Sequence, residues 1–416
     1  MRCFLLFAVA LIAPVLLAAA QDSHISPADM RIAAAQKRVE TNSKSWQPYN
    51  DLAAALCRKA RDREDVALYD QAQAALDRSL LLSPGNYDAE KLRVTVLLGK
   101  HHLSEALDLA AQLNHKVPDD IGGWGLLVDA QIALGNYSEA ERAAQWMLDL
   151  RPGSALGFVK AAGLRELFGD GEGAIEFYDE ANRRTSQNDA DERAWLLTQN
   201  ARIQLVAGNL AQAEALLAQA LKLFPDSQLA IAVLSQVRMR QGNYSDAATL
   251  LEKRYRAIET PANLYDWAEA LEKSGQKEKA AGAFKEFEAN ARAQMAAPYN
   301  ANLQLIYFYT DHESNPTEAL ALATKESTIR HDCRTLDAYA WALYSNGKYG
   351  EATEQMNRAL AVGVRDADYF CHAAKIAAKA NDAAAASRYE KELASFPANS
   401  CALGQPTQSA RRERMQ

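Results

Sequence analysis

The chain has 416 residues and a net charge of −7, with 49% hydrophobic and 24% charged residues, 20 Gly, 12 Pro and 5 Cys. It is too apolar to be mostly disordered, too poor in Gly and Pro to be collagen-like, and too poor in Cys for a disulfide scaffold. The acidic balance argues against general nucleic-acid binding and a polybasic membrane face, while Ala, the best helix former, is roughly one residue in five and points to an all-α protein.

The N-terminus reads as an address. Arg2 precedes an apolar run over 4–17, broken only by Pro14, and Ala18-Ala19-Ala20 offers a small-residue cleavage site before Gln21. The run is short of the ~20 residues a membrane-spanning helix needs. The expectation is a signal peptide over 1–20, export to a periplasm or the cell exterior, and no membrane insertion after cleavage. Ser26-Pro27-Ala28-Asp29 then starts a helix, with Ser as N-cap and Pro in the first turn.

A repeat fills most of the rest. GNYSEA at 135–140, GNLAQA at 208–213, GNYSDA at 242–247, GQKEKA at 275–280 and GKYGEA at 347–352 share one pattern. Its Ala recurs at Ala72, Ala106, Ala140, Ala174, Ala213, Ala247, Ala280, Ala319, Ala352 and Ala385, mostly 33 or 34 residues apart. A Pro often follows by twelve residues, as at Pro84, Pro118, Pro152, Pro225 and Pro397. Each unit reads as two amphipathic helices around a tight turn. The Gly takes a left-handed conformation, the small Ala lets the helices cross closely, and the Pro stops the second helix. One hairpin cannot bury its apolar face alone, whereas stacked neighbours can.

The pattern resembles the tetratricopeptide repeat, with period 34 and a W-x₂-L-G-x₂-Y, A-x₃-F, P signature. The resemblance implies a right-handed superhelical solenoid of about ten helix-turn-helix units. The predicted organisation is a signal peptide over 1–20, an N-terminal helix and linker over 21–44, the repeat array over 45–398 and a disordered tail over 399–416. Two spacings of 39 imply insertions, placed at 183–193 and 294–300. The plain reading of both is a tolerated surface loop, with a bend or a contact loop as the alternative.

No motif carries chemistry. Gly169, Gly171 and Gly173 follow a helix without the Lys-Ser/Thr of a phosphate loop, so they read as a repeat turn. Asp311-His312-Glu313 and His331-Asp332-Cys333 are separated by a helix, roughly 24 Å at 1.5 Å per residue, too far to share a metal ion. HExxH, CxxC and GxSxG are absent. Cys57 reads as a buried hydrophobe, Cys333 and Cys371 are poorly placed to bridge each other, and Cys371–Cys401 is open if the tail folds back.

In the family that the chain resembles, the first helices line a concave groove. Mapping the groove positions from the repeated Ala places Trp195, Arg202, Tyr265, Glu269, Phe308, Arg334, Asp337, Trp341, Tyr344 and Phe370 there. Aromatics and Arg are the types that anchor interfaces. Lys91, Thr95, Leu126 and Asp129 do not reproduce the carboxylate clamp of chaperone-tail receptors. The expected function is an exported, non-enzymatic scaffold that binds a protein or peptide, with no cofactor or metal and no nucleic-acid partner. The alternatives are an envelope enzyme with a dispersed groove site and a structural protein that stacks end to end.

Overall fold

The computed structural model describes residues 27–63 and 65–396. Among them are 21 α-helices and no strand. Helix α1 (Pro27–Thr41) precedes ten hairpins. These are α2 (Gln47–Arg63) with α3 (Val66–Leu82), α4 (Tyr87–Gly99) with α5 (Leu103–Lys116), and α6 (Ile121–Leu134) with α7 (Tyr137–Leu150). Next come α8 (Ala155–Leu167) with α9 (Gly171–Arg184), α10 (Ala190–Val206) with α11 (Leu210–Leu223), and α12 (Gln228–Arg240) with α13 (Tyr244–Ala257). The last four pair α14 (Pro261–Lys273) with α15 (Lys277–Gln294), α16 (Asn302–Asp311) with α17 (Pro316–Ile329), α18 (Cys333–Ser345) with α19 (Tyr349–Leu360), and α20 (Ala367–Lys379) with α21 (Ala383–Leu393). The expected signal peptide, the C-terminal tail, Pro397 and Cys401 lie outside the described residues.

The repeated Ala does what its size allows. All ten fall in second helices, and nine are buried against the first helix of their hairpin. Ala385, in α21, is half-buried. Pro84, Pro118, Pro152 and Pro225 each stand two residues past a second helix. The residue before a Pro is pushed out of the helical region, and Ser83 and Phe224 accordingly sit near φ −140, ψ 85. The Gly-rich stretch is the turn at Gly169 and the start of α9: the Asp170 side chain caps α9 by accepting from the Gly173 N–H at 2.9 Å.

The two insertions differ. Of 183–193, the ends are helix, in α9 and in α10, which has 17 residues. Of 294–300, only Gln294 is helix, at the end of the 18-residue α15, and the rest is a loop. Both also make long-range contacts. Asp189, Asp191 and Glu192 receive arginines from α1 and α2, and the Tyr299 ring meets His101 edge-on at 5.1 Å.

These contacts belong to a larger pattern. The Arg63 guanidinium donates to the Ala257 carbonyl, 194 residues on. The His331 N–H donates to the Leu134 carbonyl at 3.1 Å. The Cys333 N–H donates to the Tyr137 hydroxyl at 2.8 Å, 196 residues earlier. One superhelical turn therefore takes about 195 residues, and the second turn rests on the first along a seam. No hydrophobic cluster among the described residues contains side chains from both sides of that seam. The apolar core runs along the chain from hairpin to hairpin, and the seam is made of backbone and polar groups.

Candidate functional site: the concave face of the first helices

First helices touch one another across hairpins, as in α2 with α4, α4 with α6, α6 with α8, α10 with α12, α16 with α18 and α18 with α20. Second helices make their main contacts with helices adjacent in the chain. The stack therefore curves with the first helices on its concave side.

Polar groups cross from one first helix to the next in a ladder. The Tyr87 hydroxyl donates to Asp120 at 2.9 Å, Lys160 donates to Asp129 at 2.6 Å, and Arg202 donates to Glu166 at 2.7 Å. Farther along, His312 lies 3.5 Å from both Glu269 and Glu272. The Trp341 indole N–H donates to Asp311 at 2.8 Å. The Tyr307 hydroxyl and the His372 Nδ1 both meet the Asp337 carboxylate at 2.8 Å. Trp341 is stacked between Tyr344 at 4.5 Å and His372 at 4.3 Å, and Lys375 approaches its ring at 5.8 Å.

The electrostatics follow from this crowding. Burial pushes the Asp366 carboxyl up to about 6, and Asp368 and Asp337 add to the shift. Burial also raises Asp311 against the Trp341 hydrogen bond and lowers Lys375 against the pull of Asp311. Burial opposes protonation of His372, but Asp337 together with Asp368 and Asp311 outweighs it, and the imidazole value ends above its ordinary one. His372, Asp337 and Tyr307 form a hydrogen-bonded relay. Among the described residues no group of His, Cys, Asp or Glu is placed to hold a metal ion.

Five of the ten groove residues expected from the sequence keep some solvent exposure. Trp195, Arg202, Glu269 and Tyr344 are half-buried and Arg334 is exposed. Trp195 carries the Arg61 guanidinium over its ring at 5.2 Å. The other five are corrected by burial. Phe308 is 2% exposed and packs on Phe284, Phe287 and Tyr309 in the core. Tyr265 is buried beside Phe284 and Phe287, and Phe370 packs on Tyr389 and Phe396 of the last hairpin. Asp337 and Trp341 are buried beneath the ladder that they hold together.

The reason is local register. On α16 the accessible stripe runs Gln304, Tyr307, Asp311, the i, i+3, i+7 spacing of one helix face, so Phe308 points inward. Counting from the Ala of the second helix carried one register through every unit and missed Tyr307, Asp311, Asp368, Tyr369 and Lys375. The apolar run of each first helix, read by itself, contains that information.

Cys57 and Cys333 are free thiols. Cys371 is disulfide-bonded, and Cys401, the mate open to it from the sequence, lies outside the described residues. No helix among the described residues is long and apolar enough to cross a membrane.

Tetratricopeptide repeat models match residues 126–189 and 204–254. No curated protein matches the chain. Among solved structures, the APC/C hetero-tetramer Cut9–Hcn1 is 15% identical with TM-score 0.54, over 89% of this chain and 60% of that one. The chain thus spans about 60% of the length of that relative. Human IFIT1, solved as a dimer with PPP-AAAA, is 14% identical with TM-score 0.49, over 88% of this chain and 94% of that one. The type IV pilus biogenesis factor PilW is 17% identical with TM-score 0.42, over 54% of this chain and 99% of that one. At such identities the Cut9–Hcn1 likeness is one of fold. The near-34 spacing, the ten stacked hairpins and the two matching repeat models agree, and the chain is a tetratricopeptide repeat protein.

Proposed function

We propose that this protein is an exported, non-enzymatic scaffold that binds a protein or peptide along the concave face of its first helices. The tetratricopeptide fold in general mediates protein–protein interaction. The observation that carries the reading here is the accessible run of Glu269, Tyr307, Asp311, Arg334, Tyr344 and Lys375 over α14 to α20. It combines aromatic rings with charges of both signs on a rigid backbone. Large rings and Arg contribute most to interface energy, and a preformed surface loses little entropy on binding.

Export rests on Arg2, the apolar run and the small-residue site before Gln21. The disulfide at Cys371 is chemistry that an oxidising compartment permits. N-terminal sequencing of the protein from the exported fraction should read from Gln21. Recovery only from the cytoplasm with residues 1–20 retained would overturn this part.

A photo-crosslinking residue at Tyr344 or Arg334, compared with one at exposed Arg142 on α7, tests the groove. The reading expects the same partner captured from the two groove positions and not from α7. Capture from α7 alone would refute it.

A further inference from the structure

The stacking of hairpins does not by itself explain how the first turn is held to the second. The contacts along most of the seam are single and spaced out: Arg63 to the Ala257 carbonyl, His101 against Tyr299, the His331 N–H to the Leu134 carbonyl, the Cys333 N–H to the Tyr137 hydroxyl, and the close approach of Gly169 to Gly363. The N-terminal helices, which begin the seam, are held differently, by pairs to α10 only 131 to 160 residues away. Arg31 on α1 pairs with Asp189 at 3.0 Å and with Asp191. Arg58 on α2 pairs with Asp189, with Asp191 at 2.8 Å and with Glu192 at 3.4 Å. Arg61 pairs with Glu192 at 3.0 Å and covers the ring of Trp195.

The three carboxylates are clustered for a local reason. Asp189 is the N-cap of α10, and Asp191 and Glu192 lie in its first turn, where the helix dipole favours negative charge. All three belong to the first insertion, so the same added residues that lengthen α10 supply the acidic lip. The Asp191 side chain has no solvent exposure, while its arginine partners remain partly open to water. Exposed ion pairs are individually weak and are screened by salt. A polar contact of this kind can open and close without unpacking any apolar core.

We propose that Arg31, Arg58 and Arg61 with Asp189, Asp191 and Glu192 form an ionic latch that holds the N-terminal helices α1 and α2 to α10 beside the start of the seam, and that its release lets the seam open and frees the face of Trp195 that Arg61 covers. The latch goes beyond the scaffold reading and stands whatever the partner is.

Cys333 is a native reporter of this opening. It is a half-buried free thiol at the seam, its N–H held by Tyr137, and it lies far along the chain from the latch. Maleimide labelling of the full chain, with the Cys333 peptide quantified by mass spectrometry, measures how often the seam opens. Labelling is expected to be slow at 50 mM salt. It should rise at least fivefold in R31E/R58E, at least fivefold for the unmutated protein in 1 M salt after correction against free glutathione, and fall back when Asp189→Arg is added to Arg58→Glu. Small-angle scattering should show R31E/R58E to be larger than the parent.

An unchanged Cys333 rate in R31E/R58E with native helicity overturns the proposal. If that variant does not fold, the salt series on the unmutated chain decides: a salt-independent rate overturns the latch, and a salt-dependent one supports it.

Discussion

A β-carbon on Gly169 would stand 2.4 Å from the carbonyl oxygen of Gly363. The turn after α8 and the turn before α20 therefore meet backbone to backbone. Gly169 also has φ +81, the left-handed conformation that ends its helix. Two constraints fall on one residue, one from its own repeat and one from the next superhelical turn.

Gly169→Ala and Gly347→Ala separate those constraints. Gly347 shares the conformation, at φ +73, but has open space around its missing side chain. Gly347→Ala should cost about 1–2 kcal/mol, the ordinary price of a left-handed L-residue. Gly169→Ala should cost about 1–3 kcal/mol more, as overpacking does. Urea unfolding midpoints of the two variants give the difference, and equal losses would mean that the seam adds nothing.

The repeated Ala predicts a gradient along the array. Ala247 is buried between α13 and its partner helix, so Ala247→Leu should destabilise by about 1–3 kcal/mol. Ala385 holds the equivalent position in α21 but is only half-buried, and Ala385→Leu should stay within about 0.5 kcal/mol. Denaturant titration of both variants checks the order.

Asp366 makes a pH prediction with a definite sign. Burial first, then Asp368 and Asp337, hold it near 6 in the folded state, above its ordinary 3.8. Folding therefore favours the protonated carboxyl. Its contribution to stability is complete below the ordinary value and is lost as pH rises through about 6. Asp366 also caps α20 by accepting from the Asp368 N–H at 2.8 Å, a role that Asn can fill. Asp366→Asn should raise the melting temperature by about 2–4 °C at pH 7.5 and leave it unchanged near pH 4. Melts at both pH values test it.

His372 should titrate above its ordinary value because Asp337, with Asp368 and Asp311, outweighs the effect of burial. A raised histidine value adds stability that is present at low pH and fades as pH rises through it. Asp337→Asn leaves burial unopposed by its largest favourable partner, so the imidazole should drop below 6.5. The NMR titration of the His372 ring reads both values, and an unshifted His372 in the variant would show that Asp337 is not its controlling partner.

Much of the fold was legible in the chain. The spacing of Ala72 through Ala385 marked all ten hairpins, because helix crossing demands a small side chain once per unit. Gly135, Gly208, Gly242 and Gly347 marked the left-handed residues that end first helices. Where Gly is missing, His101 and Asn381 adopt the same positive φ, so the turn survives without its preferred residue. Groove membership was only half legible. Successive helical residues point about 100° apart, so the shift of one position on α16 placed Phe308 in the core and Tyr307 on the accessible face.

By itself the sequence determined that the protein is an all-α array and where each hairpin begins and crosses. These features follow from local, repeated requirements of size and backbone conformation. The tertiary structure alone decided that the array closes on itself, that Arg31 finds Asp191, and that Gly169 meets Gly363. Those pairs are set by small rotations accumulated over many repeats, and no local pattern carries their sum.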